Sequence, residues 1–110
     1  IPFQVSHPNF ITHKKITAAC VCIHVGEEAP DLTDKIVLIE NADPGFDWIF
    51  SQKIGGLITK YGGSNSHMAI RCAEFGIPAA IGCGEQRFEV FIKSNQILLD
   101  CAVGLINPLH

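Results

Sequence analysis

The chain has 110 residues, 47% of them hydrophobic, which suits one compact domain built on a single core. Eight basic and eleven acidic residues give a formal net charge of −3, and neither sign gathers into a block. This leaves no electrostatic reason to expect nucleic acid or an anionic membrane as partner. The apolar runs, such as residues 36–39 and 97–99, fall far short of the roughly 20 residues a membrane helix needs, and the chain reads as soluble.

Residues 1–15 mix Pro2, Pro8, His7 and His13 without periodicity and read as a lead-in lying against the domain. Residues 16–25 are apolar at nearly every position and often β-branched, which predicts a strand buried on both faces. A second strand is expected over 35–40. After it, Asn41-Ala42-Asp43-Pro44-Gly45 reads as a turn, with Asp43 capping a short helix through about Phe50 that Trp48 and Phe50 pack down. Residues 55–59 form a third strand, 60–65 a loop, and 66–75 the clearest helix. Gly76-Ile77-Pro78 ends that helix, because glycine enters the left-handed region and proline cannot continue the turn. A short strand over 79–82, a helical turn over 85–91, and a hairpin of 96–100 with 105–106 about Gly104 complete the chain. This alternation predicts a layered α/β or α+β domain.

The chemistry concentrates where the third strand gives way to the helix. Gly62-Gly63 lets the backbone approach a ligand closely, and the N–H groups of a first helical turn have no intrahelical partners. Ser64, Asn65 and Ser66 add polar groups, and the helix dipole contributes about half a positive charge, so the loop is suited to phosphate. His67, in the first turn, adds a nucleophile. The positive helix end opposes a further positive charge on the imidazole and favours a negatively charged phosphorylated product. His67, Arg71 and Glu74 fall at i, i+4 and i+7, on the face opposite Ala69, Cys72, Ala73 and Gly76. Helical side chains lean toward the N-terminus, so Arg71 is placed to reach back toward His67. The plainer account makes Gly62-Gly63 a turn, Ser64 or Asn65 a cap and His67 a solvated side chain. No Gly-Lys-Ser/Thr follows the glycines and no dinucleotide fingerprint is present.

Other clusters carry less. Cys20, Cys22 and His24 share one face of a strand and could offer metal ligands, but structural zinc sites use tighter Cys-x2-Cys loops, and core packing accounts for them better. Asp43 and Asp47 read as a cap and a first-turn acid rather than a magnesium or acid–base pair. His7, His13 and His110 read as solvated. Cys20, Cys22, Cys72, Cys83 and Cys101 make an odd count, which suits reduced thiols in a cytoplasmic setting. The opening Ile-Pro-Phe, without Met, reads as a piece of a longer polypeptide.

The stretch GGLITKYGGSNSHMAIRCAEFGIPAAIG, residues 55–82, closely resembles the phosphohistidine domain of phosphoenolpyruvate-utilising enzymes, a group that includes phosphoenolpyruvate synthase and pyruvate phosphate dikinase. A weaker likeness extends over residues 16–109. The resemblance implies a swivelling three-layer β/β/α unit over residues 16–110 after the lead-in, with His67 transiently phosphorylated. It implies a phosphoryl carrier of a phosphotransferase that holds no metal or cofactor itself. Its implied partners are an ATP-grasp nucleotide domain and a pyruvate/phosphoenolpyruvate domain of the same polypeptide or complex, with ATP and Mg2+ bound there. Phosphate contacts are expected from Gly62, Gly63, Ser64, Asn65, Ser66 and Arg71. The chain departs from the family pattern at Ala73, where an Arg is usual, and at Met68, where a small residue is usual; Arg71 and Lys60 are then the available cations. Two alternatives keep the swivelling fold: a docking module without phosphotransfer, and the small domain of a dehydratase-like enzyme.

Overall fold

A computed structural model of the chain describes residues 9–23, 31–41, 44–62 and 66–109. His7, His24, Asp43, Gly63, Ser64, Asn65 and His110 lie outside these residues, as does the side chain of Asp47. In chain order the elements are β1 (Asn9–Ile11), β2 (Lys15–Cys22), β3 (Ile36–Asn41), a 3₁₀ helix (Pro44–Gln52), β4 (Gly56–Tyr61), α1 (His67–Phe75), β5 (Ala79–Ile81), α2 (Glu85–Ile92), β6 (Gln96–Asp100) and β7 (Leu105–Leu109). The strands form one seven-stranded sheet in the order β1-β5-β4-β3-β2-β6-β7. Its centre is parallel from β5 through β2, and antiparallel strands flank it on both sides. The class is mixed α/β, as the alternating elements predict. No helix among the described residues is long and apolar enough to cross a membrane.

The parallel centre dictates where the core lies. Ile36 to Ile39 of β3 and Gly56 to Thr59 of β4 are buried without a break, as expected of strands covered on both faces. Because side chains alternate across a strand, the two faces feed two clusters. Val37, Ile39, Leu57, Ala79 and Ile81 pack with Leu32, Ile49, Met68, Ala69 and Cys72, so α1 and the 3₁₀ helix cover that face. Ile36, Leu38, Ile58 and Ala80 pack with Phe88, Phe91, Ile97 and Leu99, which places α2 and β6 over the other.

Five expectations change. β2 is not buried on both faces: Lys15, Thr17 and Ala19 are exposed while Ile16, Ala18 and Cys20 turn inward. Its first half lies beyond the start of β3, which it meets only from Cys20 onward, and pairs there with β6 alone. The segment read as lead-in contains β1, which pairs antiparallel with β5, Asn9 opposite Ile81. On the 3₁₀ helix the anchor is Ile49, fully buried, whereas Trp48 is 36% exposed and Phe50 is half-buried. On α1 the buried stripe is Met68, Ala69 and Cys72, and Ala73 is exposed. At 3.6 residues per turn, 68, 69 and 72 share a face from which 73 has rotated away. The closing hairpin also runs further than expected, to Leu109, with Pro108 opposite Ile97 on the outer strand.

Candidate functional site

The C-terminal ends of parallel strands are where open α/β sheets bind ligands, since the loops that leave them gather there. Here those ends are Tyr61 of β4 and Ile81 of β5, and α1 and α2 both begin just beyond them. Thr59 ties the two strand ends together. It is wholly buried, and its hydroxyl donates to the Tyr61 carbonyl at 2.9 Å while accepting the Gly82 N–H at 2.9 Å. Its carbonyl accepts the N–H groups of Gly82 at 3.1 Å and Cys83 at 2.9 Å, and the Lys60 carbonyl accepts Gly84 N–H at 3.0 Å. The floor of the site is therefore a backbone lattice.

Glycine is required in that lattice. Gly82 has φ +79°, and a Cβ there would run into the carbonyl oxygen of Gly62, which itself has φ +131°. The loop leading to His67 thus begins in direct backbone contact with the turn leading to α2. Gly62 and Ser66 flank it on the described side.

Ser66 is the N-cap of α1: its backbone is extended, with φ −69° and ψ 155°, and its side-chain oxygen accepts the Ala69 N–H at 3.3 Å. The oxygen of Ser66 is engaged as a cap, and its O–H remains a donor for an anion. His67 is the first helical residue, half-buried, on the side of α1 away from Met68, Ala69 and Cys72. No acidic residue occupies the first turn, so the helix itself sets no carboxylate against its positive end. Arg71 lies one turn on, half-buried, at the i+4 position that shares His67's side of the helix.

The structure sets Lys60 apart from that expectation. Its ammonium lies 5.3 Å from the Tyr61 ring centroid and 6.0 Å from that of Phe88, so it belongs to the α2 side of the sheet rather than to the α1 side. There it acts on Cys83 together with Arg87, a cation that sequence reasoning passed over. Burial pushes the Cys83 thiol up to about 11 despite these two neighbouring charges and its own backbone hydrogen bond. A protonated thiol is a poor nucleophile, so Cys83 is held in its unreactive form at this end of the sheet. Thr59 was likewise missed, because a threonine in a strand pattern reads only as a β-former.

Cys20 and Cys22 have structural roles. Cys20 Sγ donates to the Ser94 carbonyl at 2.9 Å, and both Cys20 and Cys22 pack against the core. Among the described residues no group of three His, Cys, Asp or Glu is placed to hold a metal ion.

The geometry is that of an α/β domain that presents a histidine at a strand–loop–helix junction. The chain belongs to the family described as PEP-utilising enzyme, mobile domain, which residues 32–104 match. It is similar to phosphoenolpyruvate synthases: 29% identical over 69 residues to that of Neisseria meningitidis serogroup B, covering 63% of this chain and 8% of the relative. The Escherichia coli enzyme is 32% identical over 69 residues, with the same coverage of 63% and 8%. That of Synechocystis is 35% identical over 70 residues, 64% of this chain and 8% of the relative. The chain thus spans about 8% of the length of these relatives.

Proposed function

We propose that this chain is the phosphoryl-carrier domain of a phosphoenolpyruvate synthase-like phosphotransferase, and that His67 is its transiently phosphorylated residue. The observation that carries the reading is the placement of His67: first residue of a capped helix, turned away from the core, beside a loop launched from a glycine-on-glycine contact. An imidazole nitrogen attacks the phosphorus of a donor, ATP or phosphoenolpyruvate. An N–P bond forms, the P–O bond to the leaving group breaks, and the ring proton is released to solvent. The α1 N-terminus, the Ser66 hydroxyl and Arg71 then stabilise the added negative charge.

The donor and acceptor sites belong to partner domains, an ATP-grasp domain and a pyruvate/phosphoenolpyruvate domain, with ATP and Mg2+ held there. The carrier reaches both by moving as a swivelling β/β/α unit in a reducing, cytoplasmic setting. Family membership and the naming of its relatives as phosphoenolpyruvate synthases support this reading. Incubating the chain with a phosphoenolpyruvate synthase's remaining domains and labelled ATP or phosphoenolpyruvate is expected to leave acid-labile, base-stable label on His67. Equal labelling of His67→Ala would overturn the assignment.

A second reading, a docking module without phosphotransfer, is favoured by one observation: Ala73, at the position where family members usually carry Arg, is exposed and offers no cation. Phosphorus NMR of the treated chain separates the two, since only a carrier gives a phosphoramidate signal.

A further inference from the structure

At the far end of α1 from His67, a cleft of about 430 Å³ opens between the start of β2, the end of the 3₁₀ helix and the turn into β5. Its volume lies in the range of pockets that hold small organic ligands. Three of its lining residues are lysines, Lys14, Lys15 and Lys53, and none is acidic. Between the lysines lies an apolar wall that includes Phe50 and Phe75, whose rings stack with centroids 5.4 Å apart and planes 24° apart. Phe75 is 56% exposed, a large apolar side chain presented to water beside a group of cations.

The backbone that presents these lysines is strained. Lys53 has φ +55°, and Thr12, a β-branched residue at the turn that delivers Lys14 and Lys15, has φ +65°. Such conformations persist only where surrounding structure enforces them, and they cluster at binding and switch regions. One of the three ammonium groups already has a structural use, since Lys14 Nζ sits 3.3 Å from where a Cβ on Gly76 would stand, at the negative end of α1. Lys15 and Lys53 have no such place in the helix end.

We propose that this cleft is a binding site for a nucleotide, its phosphates held by Lys15 and Lys53 and its base laid on the Phe50–Phe75 pair. Cations alongside an exposed aromatic platform are the combination that holds a base and its phosphates together, each base stack contributing about 1–3 kcal/mol. The site lies at the opposite end of α1 from His67 and does not depend on the phosphoryl-carrier reading.

ATP titrated into the isotope-labelled chain, followed by amide chemical shifts, tests it. Saturable shifts are expected at Gly55, Gly76 and Ile77, with tripolyphosphate and adenosine each binding at least about tenfold more weakly than ATP, as loss of either the charge-assisted or the stacking contacts requires. Lys53→Gly is the variant of choice, because glycine adopts the left-handed conformation at no cost and the fold is retained. It is expected to weaken ATP about tenfold, as is Lys15→Ala. Shifts confined to the His67 end, tripolyphosphate binding as tightly as ATP, or full affinity in Lys53→Gly would each overturn the proposal.

Discussion

Thr59 shows how much of a site can rest on a residue that performs no chemistry. Its hydroxyl both gives and accepts a hydrogen bond inside a completely buried environment, and its carbonyl shares the Gly82 N–H with that hydroxyl and takes the Cys83 N–H as well. Thr59→Val keeps the shape and removes the hydroxyl, leaving the Tyr61 carbonyl without its donor. The expected loss is about 1–3 kcal/mol of stability, read as a lower urea midpoint, together with faster amide exchange at Gly82. An unchanged midpoint would show that the strand ends are tied by backbone alone. Of the candidate site's residues, the run from Gly62 to His67 stands out in the sequence because its residue types are unusual together. Thr59 and Arg87 do not, since their roles come from strands and helices that meet only after folding.

At the scale of the element, α1 is fixed at both ends by local chemistry. Ser66 caps its start, and at its finish Gly76 adopts φ +68° and ψ 31°. The Ile77 N–H then reaches back to the Cys72 carbonyl at 2.9 Å and the Gly76 N–H to Ala73 at 3.4 Å, the paired bonds of a Schellman motif. Gly76→Ala puts a Cβ in the left-handed region, at a cost of roughly 1–2 kcal/mol, and brings it within 3.3 Å of Lys14 Nζ. A melting temperature lower than wild type checks this; an unchanged one would mean the helix end relaxes freely. The finish of α1 was readable because its stop is written in single residues, whereas the cap, read at Ser64 or Asn65, falls on Ser66 because several neighbouring residues could serve. The one-sided exposure of β2 was not: an apolar run does not reveal that its first half has a neighbour on one side only. Nor was β1 readable, a three-residue strand that exists because β5 offers it an edge.

For the whole molecule, the cysteines couple the packing to pH. Burial, with a smaller contribution from the neighbouring Cys101, pushes the Cys72 thiol from 9.0 up to about 12. Burial likewise takes Cys101 to about 11, and Cys83 to about 11. The folded values lie above the unfolded one, so the native state keeps protons that the unfolded chain releases. Stability is therefore intact below about pH 9 and declines as pH rises through the folded values. The urea midpoint is expected to fall between about pH 8 and pH 10.5, and to fall less in Cys72→Ala. The same profile in both proteins would assign the alkaline loss to other groups. The pairing of the two core clusters across one sheet, and the meeting of Lys14 and Lys15 with Lys53 at one cleft, belong to this scale too. They depend on strand order, which residue patterns do not encode.

The outer strands bear on how such a protein behaves among many copies of itself. An open sheet ends in rows of unpaired backbone groups that invite a neighbouring chain to add a strand. One border of this sheet is β1, only three residues long, and the other is β7, which carries Pro108 and so offers one N–H fewer. Both borders are poor templates for strand addition, and crowding therefore meets a sheet with little to propagate into an aggregate.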